Sequence, residues 1–218
     1  MIVKICGITR AEDARMAAAL GATAVGFIFW AGSPRKIAPG AAAAIADALP
    51  EEVWKVGVFV DAAPDEIKKT IAQARLTAVQ LHGSEGPAQA ASLNARVIKA
   101  MTLEQIDEDV ALDDWQGIPI LLDAHDPIRK GGTGRTIDWR RAANVAARHD
   151  VILAGGLRAE NVAEAVAQVH PYGIDVSSGV ESSPGVKDHE KLRRLFEAVR
   201  DSIVSERTGR TADVTEHR

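Results

Sequence analysis

Short apolar runs alternate along the chain with longer runs in which alanine and leucine recur at helical spacing. Runs of the first kind are typical of strands buried on both faces of a parallel sheet, and runs of the second kind are typical of amphipathic helices. The apolar runs predict strands at residues 2–6, 24–29, 55–60, 77–81, 96–100, 119–123, 151–154 and 174–177. The regular alternation therefore predicts an α/β fold.

A helix is predicted after every strand, and several helix starts carry a side chain suited to capping. Thr9 with Glu12 and Thr102 with Gln105 have the spacing of a capping box, and Asp138 is suited to an N-cap. The helices are predicted from the Thr9 cap to residue 20, at 39–48, 64–74 and 87–93, from the Thr102 cap to 112, from Asp138 to 148, and at 160–169 and 188–204.

The number of strand–helix units decides between two α/β architectures. Eight units of about 25 residues each favour one closed eight-stranded barrel, the (β/α)8 or TIM barrel, over residues 1–204. A doubly wound open sheet is the alternative, and the absence of a G-x-G-x-x-G motif after the first strand disfavours it. Residues 205–218 are polar and aperiodic, so we expect a short disordered C-terminal tail.

Composition narrows the function classes. The net charge of −4 gives no basic surface for nucleic acid, and 4% aromatic residues are few for stacking bases. No apolar run reaches the roughly 18 residues that cross a bilayer, and no signal peptide is recognised. The single cysteine excludes an internal disulfide and fits a reducing compartment, so we expect a cytoplasmic protein that binds neither nucleic acid nor membrane.

Motifs for metals and common cofactors are absent from the sequence. The six histidines are scattered, and no paired-cysteine or H-x-x-x-H spacing occurs. Neither a P-loop nor a G-x-S-x-G elbow is present. We therefore expect no metal and no cofactor.

Active sites of such barrels lie at the C-terminal ends of the strands. The residues predicted there are Cys6, Arg35, His82, Asp123, Gly155, Gly156, Asp175, Ser177 and Ser178. Phosphate is often bound after the last two strands, by backbone N–H groups and a helix N-terminus. Two such small-residue turns on neighbouring strands favour a phosphate site, although each could also be only a tight turn.

Cys6 and Asp123 form a second group of candidates. A thiolate and a carboxyl group across a barrel mouth are suited to proton transfer, one as base and one as acid. Lys4 is on the same strand face as Cys6 and could help to ionise it, or could be a paired structural cation. Cys6 could equally be a small buried hydrophobe, and Asp123 could cap a turn.

Arg35 and His82 have both functional and structural interpretations. A guanidinium group in the loop after the second strand could clamp a substrate carboxylate through two parallel hydrogen bonds, or could simply be solvated. His82 could move protons, but we favour a structural role.

A series of segments carries a family resemblance. They are residues 4–9 (K-I-C-G-I-T), 25–29, 33–35, 56–60, 79–83, 121–123, 131–134 with 138–139, 153–157 with 160–162, and 175–181 (D-V-S-S-G-V-E) with 184–188. From residue 3 to about residue 196 they resemble the phosphoribosylanthranilate isomerase family, in its order and spacing. The first and last segments are the most specific.

The resemblance implies the third step of tryptophan biosynthesis. An enzyme of this family converts N-(5-phosphoribosyl)anthranilate to 1-(o-carboxyphenylamino)-1-deoxyribulose 5-phosphate, an Amadori rearrangement of a phosphorylated small molecule. It also implies that the loop of residues 124–136 closes over the substrate. The sequence leaves the oligomeric state open between monomer and homodimer.

The matching positions imply residue roles. Cys6 matches the family's general base and Asp123 its general acid, while Arg35 matches the arginine that holds the anthranilate carboxylate. Asp175 matches the aspartate near the ribose and amine. The phosphate site is matched by Gly155, Gly156, Ser177 and Ser178.

Two other functions compete with this interpretation. The related histidine-pathway isomerase has an aspartate at the end of its first strand and a second phosphate site, whereas here the strand ends in Cys6. A non-catalytic sugar-phosphate sensor would keep the glycine turns but would need neither Cys6 nor Asp123.

Overall fold

Eight parallel strands close into a barrel in the order of the sequence, which confirms the predicted (β/α)8 fold. The structure is a computed structural model that describes residues 1–107, 112–124 and 137–213, with residues 203–213 described as backbone only. The strands are β1 (Ile2–Ile5), β2 (Ala24–Ile28), β3 (Trp54–Phe59), β4 (Ala78–Leu81), β5 (Arg96–Met101), β6 (Ile120–Leu122), β7 (Val151–Leu153) and β8 (Gly173–Val176). The barrel is closed by β8 against β1, with Lys4 opposite Asp175 and Ile5 opposite Val176.

A helix follows every strand. The helices are α1 (Ala11–Leu20), α2 (Pro39–Ala46), α3 (Pro64–Ala74), α4 (Pro87–Ser92), α5 (Leu103–Asp107), α6 (Trp139–Ala146), α7 (Val162–Val169) and α8 (His189–Asp213). Two 3-10 turns lie at Leu112–Trp115 and Ser178–Val180, and a short antiparallel hairpin, β9 (Glu181–Ser183) with β10 (Val186–Lys187), was not predicted.

Strand residues face two different cores because side chains alternate along a strand. One set fills the barrel interior: Ile2, Ala24, Val56, Ala78, Ile98, Ala100, Leu121, Ile152 and Ala154. The other set, which includes Val25 and Leu122, faces outward and shares a second core with helix residues such as Ile67 and Leu195. Burial on both faces explains the continuous apolar runs of the sequence.

Two of the three predicted helix caps are formed. In the Thr102–Gln105 capping box, Thr102 N donates to Gln105 Oε1 at 2.8 Å and Gln105 N donates to Thr102 Oγ1 at 3.2 Å. Asp138 accepts from the backbone N–H groups of Arg140 and Arg141 at the start of α6.

The predicted Thr9–Glu12 capping box is wrong. α1 begins after Arg10 with no side-chain cap, and the Thr9 hydroxyl instead donates to the carbonyl oxygen of Gly185 at 2.5 Å. The Thr9 hydroxyl therefore forms a tertiary hydrogen bond instead of the local helix cap that the sequence spacing predicted.

The last helix is longer than predicted. α8 continues to Asp213, beyond residue 204 where the pattern ends it, and so reaches into the expected tail. Residues 214–218 lie outside the described part of the chain. The domain boundary at 204 and the disordered tail stay predictions.

Candidate active site

Cys6 lies directly after β1 and continues its pairing with β8. Its backbone N–H donates to Val176 O at 2.9 Å, and the residue is 6% exposed. Since Ile2 faces the barrel interior, the alternate residues Lys4 and Cys6 face it too. The only cysteine thus lies at the mouth of the barrel, as predicted from the strand end.

Lys4 is a fully buried cation beside this thiol. Its ammonium group forms an ion pair with Asp175, with Nζ and Oδ1 2.8 Å apart. A β-carbon at Gly26 would lie 2.7 Å from Cys6 Sγ and 3.1 Å from Lys4 Nζ, so the thiol and the ammonium group border the same space. Burial by itself would lower the pKa of Lys4, but the charge of Asp175 and the neighbouring Cys6 raise it above its ordinary value. Lys4 is therefore charged at neutral pH.

The same surroundings act on the thiol in opposite directions. Burial raises the pKa of Cys6, and Asp175 raises it further, whereas Lys4 and Lys187 lower it. The net direction is upward, so the neutral thiol predominates near pH 7.

Arg35 lies in the loop between β2 and α2, which an isolated bridge between Ile28 and Lys36 holds against the strand end. It is only 9% exposed, which rules out the solvated interpretation. Its Nε donates to Glu181 Oε1 at 2.9 Å and its Nη2 to Glu181 Oε2 at 2.7 Å. The predicted two-bond clamp therefore holds a carboxylate of the protein itself.

Glu181 joins this arginine to a second buried cation. Its Oε1 accepts from Lys187 Nζ at 2.9 Å and from Gly185 N at 3.1 Å, all within the β9–β10 hairpin. Lys187 also donates to Ser177 O at 3.2 Å. Sequence reasoning missed both residues, because nothing local in the polar segment after β8 shows that its side chains turn into the barrel mouth.

Asp123 lies after β6, three strands from β1 by way of β7 and β8. Its backbone N–H donates to Met101 O at 3.1 Å, and its Oδ1 accepts from Ala124 N at 2.8 Å. Oδ2 lies 3.6 Å from Nε2 of His82, whose Nδ1 is 2.7 Å from Gln80 Nε2. His82 thus belongs to the surroundings of Asp123.

The loops after β7 and β8 pack against each other. Gly155 and Gly156 have φ of 83° and 64°, in the left-handed region that favours glycine. Asn161 fixes this turn, since its Oδ1 accepts from Arg158 N and its Nδ2 donates to Gly156 O at 3.0 Å. A β-carbon at Gly179 would lie 1.9 Å from Leu157 O, so the two loops touch there.

Ser177 connects these loops to the β1 side of the mouth. A β-carbon at Gly7 would lie 2.6 Å from Arg35 Cδ and 3.2 Å from Ser177 Oγ. The structure therefore brings Cys6, Arg35 and Ser177 together, with Asp175 beside them through Lys4. The loop of residues 125–136, including the predicted glycine-rich closure, lies outside the described residues.

Two absences apply to the described part of the chain. Within residues 1–107, 112–124 and 137–202, no three His, Cys, Asp or Glu side chains group as a metal ion would need. Among the described helices, none combines the length and apolar character needed to cross a membrane.

Comparison with known proteins gives a consistent result. The family model described as N-(5'phosphoribosyl)anthranilate (PRA) isomerase matches residues 3–198. The chain is 50% identical over 193 residues to the N-(5'-phosphoribosyl)anthranilate isomerase of Geobacter sp. (strain M21), covering 88% of this chain and 95% of that protein. It is 44% identical over 200 residues to the corresponding protein of Pelobacter propionicus, covering 92% and 96% of the two chains.

Solved structures agree with the sequence matches. The phosphoribosyl anthranilate isomerase of Thermus thermophilus superposes with a TM-score of 0.82 at 45% identity, over 92% of this chain and 99% of that one. A phosphoribosyl anthranilate isomerase in complex with reduced 1-(o-carboxyphenylamino)-1-deoxyribulose 5-phosphate superposes with a TM-score of 0.82 at 39% identity, over 92% and 100%.

Proposed function

The chain belongs to the N-(5'-phosphoribosyl)anthranilate isomerase family, and from this premise we propose that Cys6 is its general base and Asp123 its general acid. The enzyme converts N-(5-phosphoribosyl)anthranilate to 1-(o-carboxyphenylamino)-1-deoxyribulose 5-phosphate, a step of tryptophan biosynthesis. The observation that supports the residue roles is that both side chains lie buried at C-terminal strand ends of one barrel, where such enzymes carry out their chemistry.

Asp123 acts first. In its protonated form it donates a proton to the ring oxygen of the ribose, which opens the ring and leaves a Schiff base between C1′ and the anthranilate nitrogen. Since Ala124 N occupies Oδ1, the proton is best placed on Oδ2, the oxygen 3.6 Å from His82.

Cys6 acts second. Its thiolate takes the proton from C2′, which the adjacent positively charged iminium makes acidic, and the product is an enolamine. The enolamine becomes the ketone when a proton is added at C1′ and the hydroxyl on C2′ loses its own proton to form the carbonyl group. Proton gain and loss then balance over the rearrangement, and no oxidant or reductant is needed.

The remaining predicted residues would hold the substrate. Gly155, Gly156, Ser177 and Ser178 offer backbone N–H groups and hydroxyls for the phosphate. Arg35 would bind the anthranilate carboxylate through its Nη1 end, since Glu181 occupies its Nε–Nη2 edge and no described residue hydrogen-bonds Nη1. Asp175 would accept from a ribose hydroxyl or from the amine.

Assembly and location are also proposals. A monomer or a homodimer is compatible with this fold, and one relative, from Thermotoga maritima, is described as dimeric. We place the enzyme in the cytoplasm, because its one cysteine must stay reduced to act as a base.

The test is turnover of freshly generated phosphoribosylanthranilate, followed by the loss of its fluorescence. We expect Cys6→Ser and Asp123→Asn to lower turnover by roughly a hundredfold or more. Asp150→Asn is the matched control, because it removes the same charge at an exposed position at the opposite end of the barrel. Near-normal turnover in either site variant would remove that residue from its role.

A further inference from the structure

One cation in the barrel is shared between two anionic partners. The Lys4 side chain is fully buried, its Nζ is 2.8 Å from Asp175 Oδ1, and its charge also acts on the neighbouring Cys6 thiol. A buried ammonium group can fully compensate only one full negative charge at this distance. Asp175 holds the ammonium group in the structure, and a Cys6 thiolate would need it during the reaction.

Close packing keeps the three groups together. A β-carbon at Gly26, on the neighbouring strand β2, would lie 2.7 Å from Cys6 Sγ and 3.1 Å from Lys4 Nζ. The thiol and the ammonium group therefore border the same small space, and only a glycine at position 26 leaves that space open to them.

Other charged groups near Cys6 are already engaged elsewhere. Arg35, from the loop after β2, and Lys187, from β10, both pair with Glu181 of β9. On β8 the charged group is Asp175, and on β1 it is Lys4. Among the described residues, Lys4 is thus the cation whose pairing can change without breaking the Glu181 network.

We propose that Lys4 is the counter-ion of the Cys6 thiolate and that Asp175 competes with the thiolate for it. When a substrate hydroxyl or amine engages Asp175, the carboxylate attracts Lys4 less strongly, and the ammonium charge then stabilises the thiolate. Lys4 is thus a positioning residue, and substrate binding itself increases the fraction of base. This inference rests on the proposed role of Cys6.

The single cysteine permits a direct test without substrate. The rate of alkylation by iodoacetamide as a function of pH gives the thiol titration, and Cys6→Ser reports any other reaction. Lys4→Met is expected to move the midpoint up by about one pH unit or more, and Asp175→Asn to move it down by a similar amount. The double variant should fall between the two.

A matched control separates charge from packing. Lys55 is another buried barrel lysine, 6% exposed, whose Nζ donates to the backbone carbonyl of Pro50 at 2.6 Å. Lys55→Met should leave the Cys6 midpoint unchanged. Because the double variant removes both charges, it is expected to fold even where a single variant leaves one charge unpaired, and its midpoint then tests the inference alone.

The possible results separate a failure of this inference from a failure of the proposed function. Opposite shifts in Lys4→Met and Asp175→Asn, with the acid limb of kcat/KM following the thiol midpoint, support the inference. Equal midpoints, shifts of the same sign, or a double variant outside the range of the singles would overturn it. If wild type shows the opposite shifts but no turnover, the proposed function fails while the thiol–lysine pairing stands.

Discussion

The β4–β5 wall of the barrel balances its buried charges locally. Lys99 Nζ lies 3.1 Å from Glu85 Oε2, so one cation meets one carboxylate. Glu85 also accepts from the backbone N–H groups of Asp61 and Gly83, at 2.7 and 2.8 Å. This pair fixes the turn that follows β4 and carries His82.

On the β1–β8 wall and the β9–β10 hairpin, the ion pairs found among the described residues join three buried cations, Lys4, Arg35 and Lys187, to two carboxylates, Asp175 and Glu181. The buried carboxylate of Asp13 in α1 accepts from the backbone N–H of Lys187 and not from its ammonium group. The unmatched positive charge lies where the thiolate and the anionic groups of the substrate are proposed to be.

The comparison of the two walls distinguishes buried charges that stabilise the fold from buried charges proposed to act in the reaction. A buried charge without a partner is costly, so a network is stable alone only when its charges balance. On the β4–β5 wall the fold supplies that balance. On the β1–β8 wall we propose that an anion from the reaction, the Cys6 thiolate or a substrate group, completes it. Substitutions on the two walls should therefore differ in what they impair.

The largest effect is expected at the most crowded point of the β1–β8 wall. Gly26→Ala places a methyl group 2.7 Å from Cys6 Sγ and 3.2 Å from Cys6 Cα, so the thiol or Lys4 must move. We expect kcat/KM to fall by about a hundredfold, because small displacements of reacting groups are expensive. Steady-state kinetics with the folded variant measure it.

Gly40→Ala is the control for this substitution. No atom lies within 4 Å of a β-carbon at Gly40 in α2, so the same chemical change should leave turnover at the wild-type level. Wild-type kinetics in Gly26→Ala would contradict the close packing assigned to Cys6 and Lys4.

The next largest effect is expected in the free energy of unfolding when one carboxylate is removed from each wall. Glu85→Gln removes the carboxylate from Lys99 and should lower the free energy of unfolding by about 3–5 kcal/mol. Glu181→Gln should also destabilise, but inorganic phosphate should stabilise this variant more than it stabilises wild type, because Arg35 and Lys187 can then attract the anion. Urea unfolding with and without phosphate measures both.

Glu85→Gln is the control for the phosphate effect in Glu181→Gln. It keeps the proposed phosphate site and no further anion is expected to bind beside Lys99, so phosphate should stabilise it as much as it stabilises wild type. Equal stabilisation of the two variants by phosphate would show that the walls do not differ in this way.

A smaller effect follows from the titration of Glu181. Burial raises the pKa of this carboxyl, but the hydrogen bonds from Arg35 and the charge of Lys187 outweigh it and hold the pKa below its ordinary 4.5. The stability from this group is thus fully present above pH 4.5 and is lost as the pH falls through the lower folded pKa. Glu181→Gln should have a flatter acid limb of unfolding free energy than wild type.

Urea unfolding at a series of pH values below neutrality measures this difference. Parallel acid limbs in wild type and Glu181→Gln would mean that the carboxyl gains nothing from its two cations.

The smallest effect compares two threonines with the same local spacing. Thr102→Ala should cost about 1 kcal/mol in thermal unfolding and leave kinetics unchanged, since it removes only the cap of α5. Thr9→Ala instead removes a bond to Gly185, next to the Glu181 network, and should raise KM. Raised KM in both variants, or in neither, would contradict this assignment.

The amino-acid sequence by itself determined the eight strands, six of the eight helix positions to within two residues at each end, and which residues end the strands. Strand and helix positions depend on the local pattern of apolar residues. Burial on both faces gives each strand a continuous apolar run, and burial of one face gives each helix its helical spacing. The end of each strand then placed Cys6 and Asp123 at the barrel mouth, because parallel strands in a closed barrel have their C-terminal ends on one side.

Only the tertiary structure decided which charged groups meet. Lys4 and Asp175 are 171 residues apart in the chain, and Arg35 and Glu181 are 146 apart. No local pattern records such pairs, since they form when the last strand closes the barrel against the first. For the same reason Thr9 bonds Gly185 and does not cap α1. The guanidinium group of Arg35 likewise pairs with Glu181, a partner that the spacing of residues along the chain could not show.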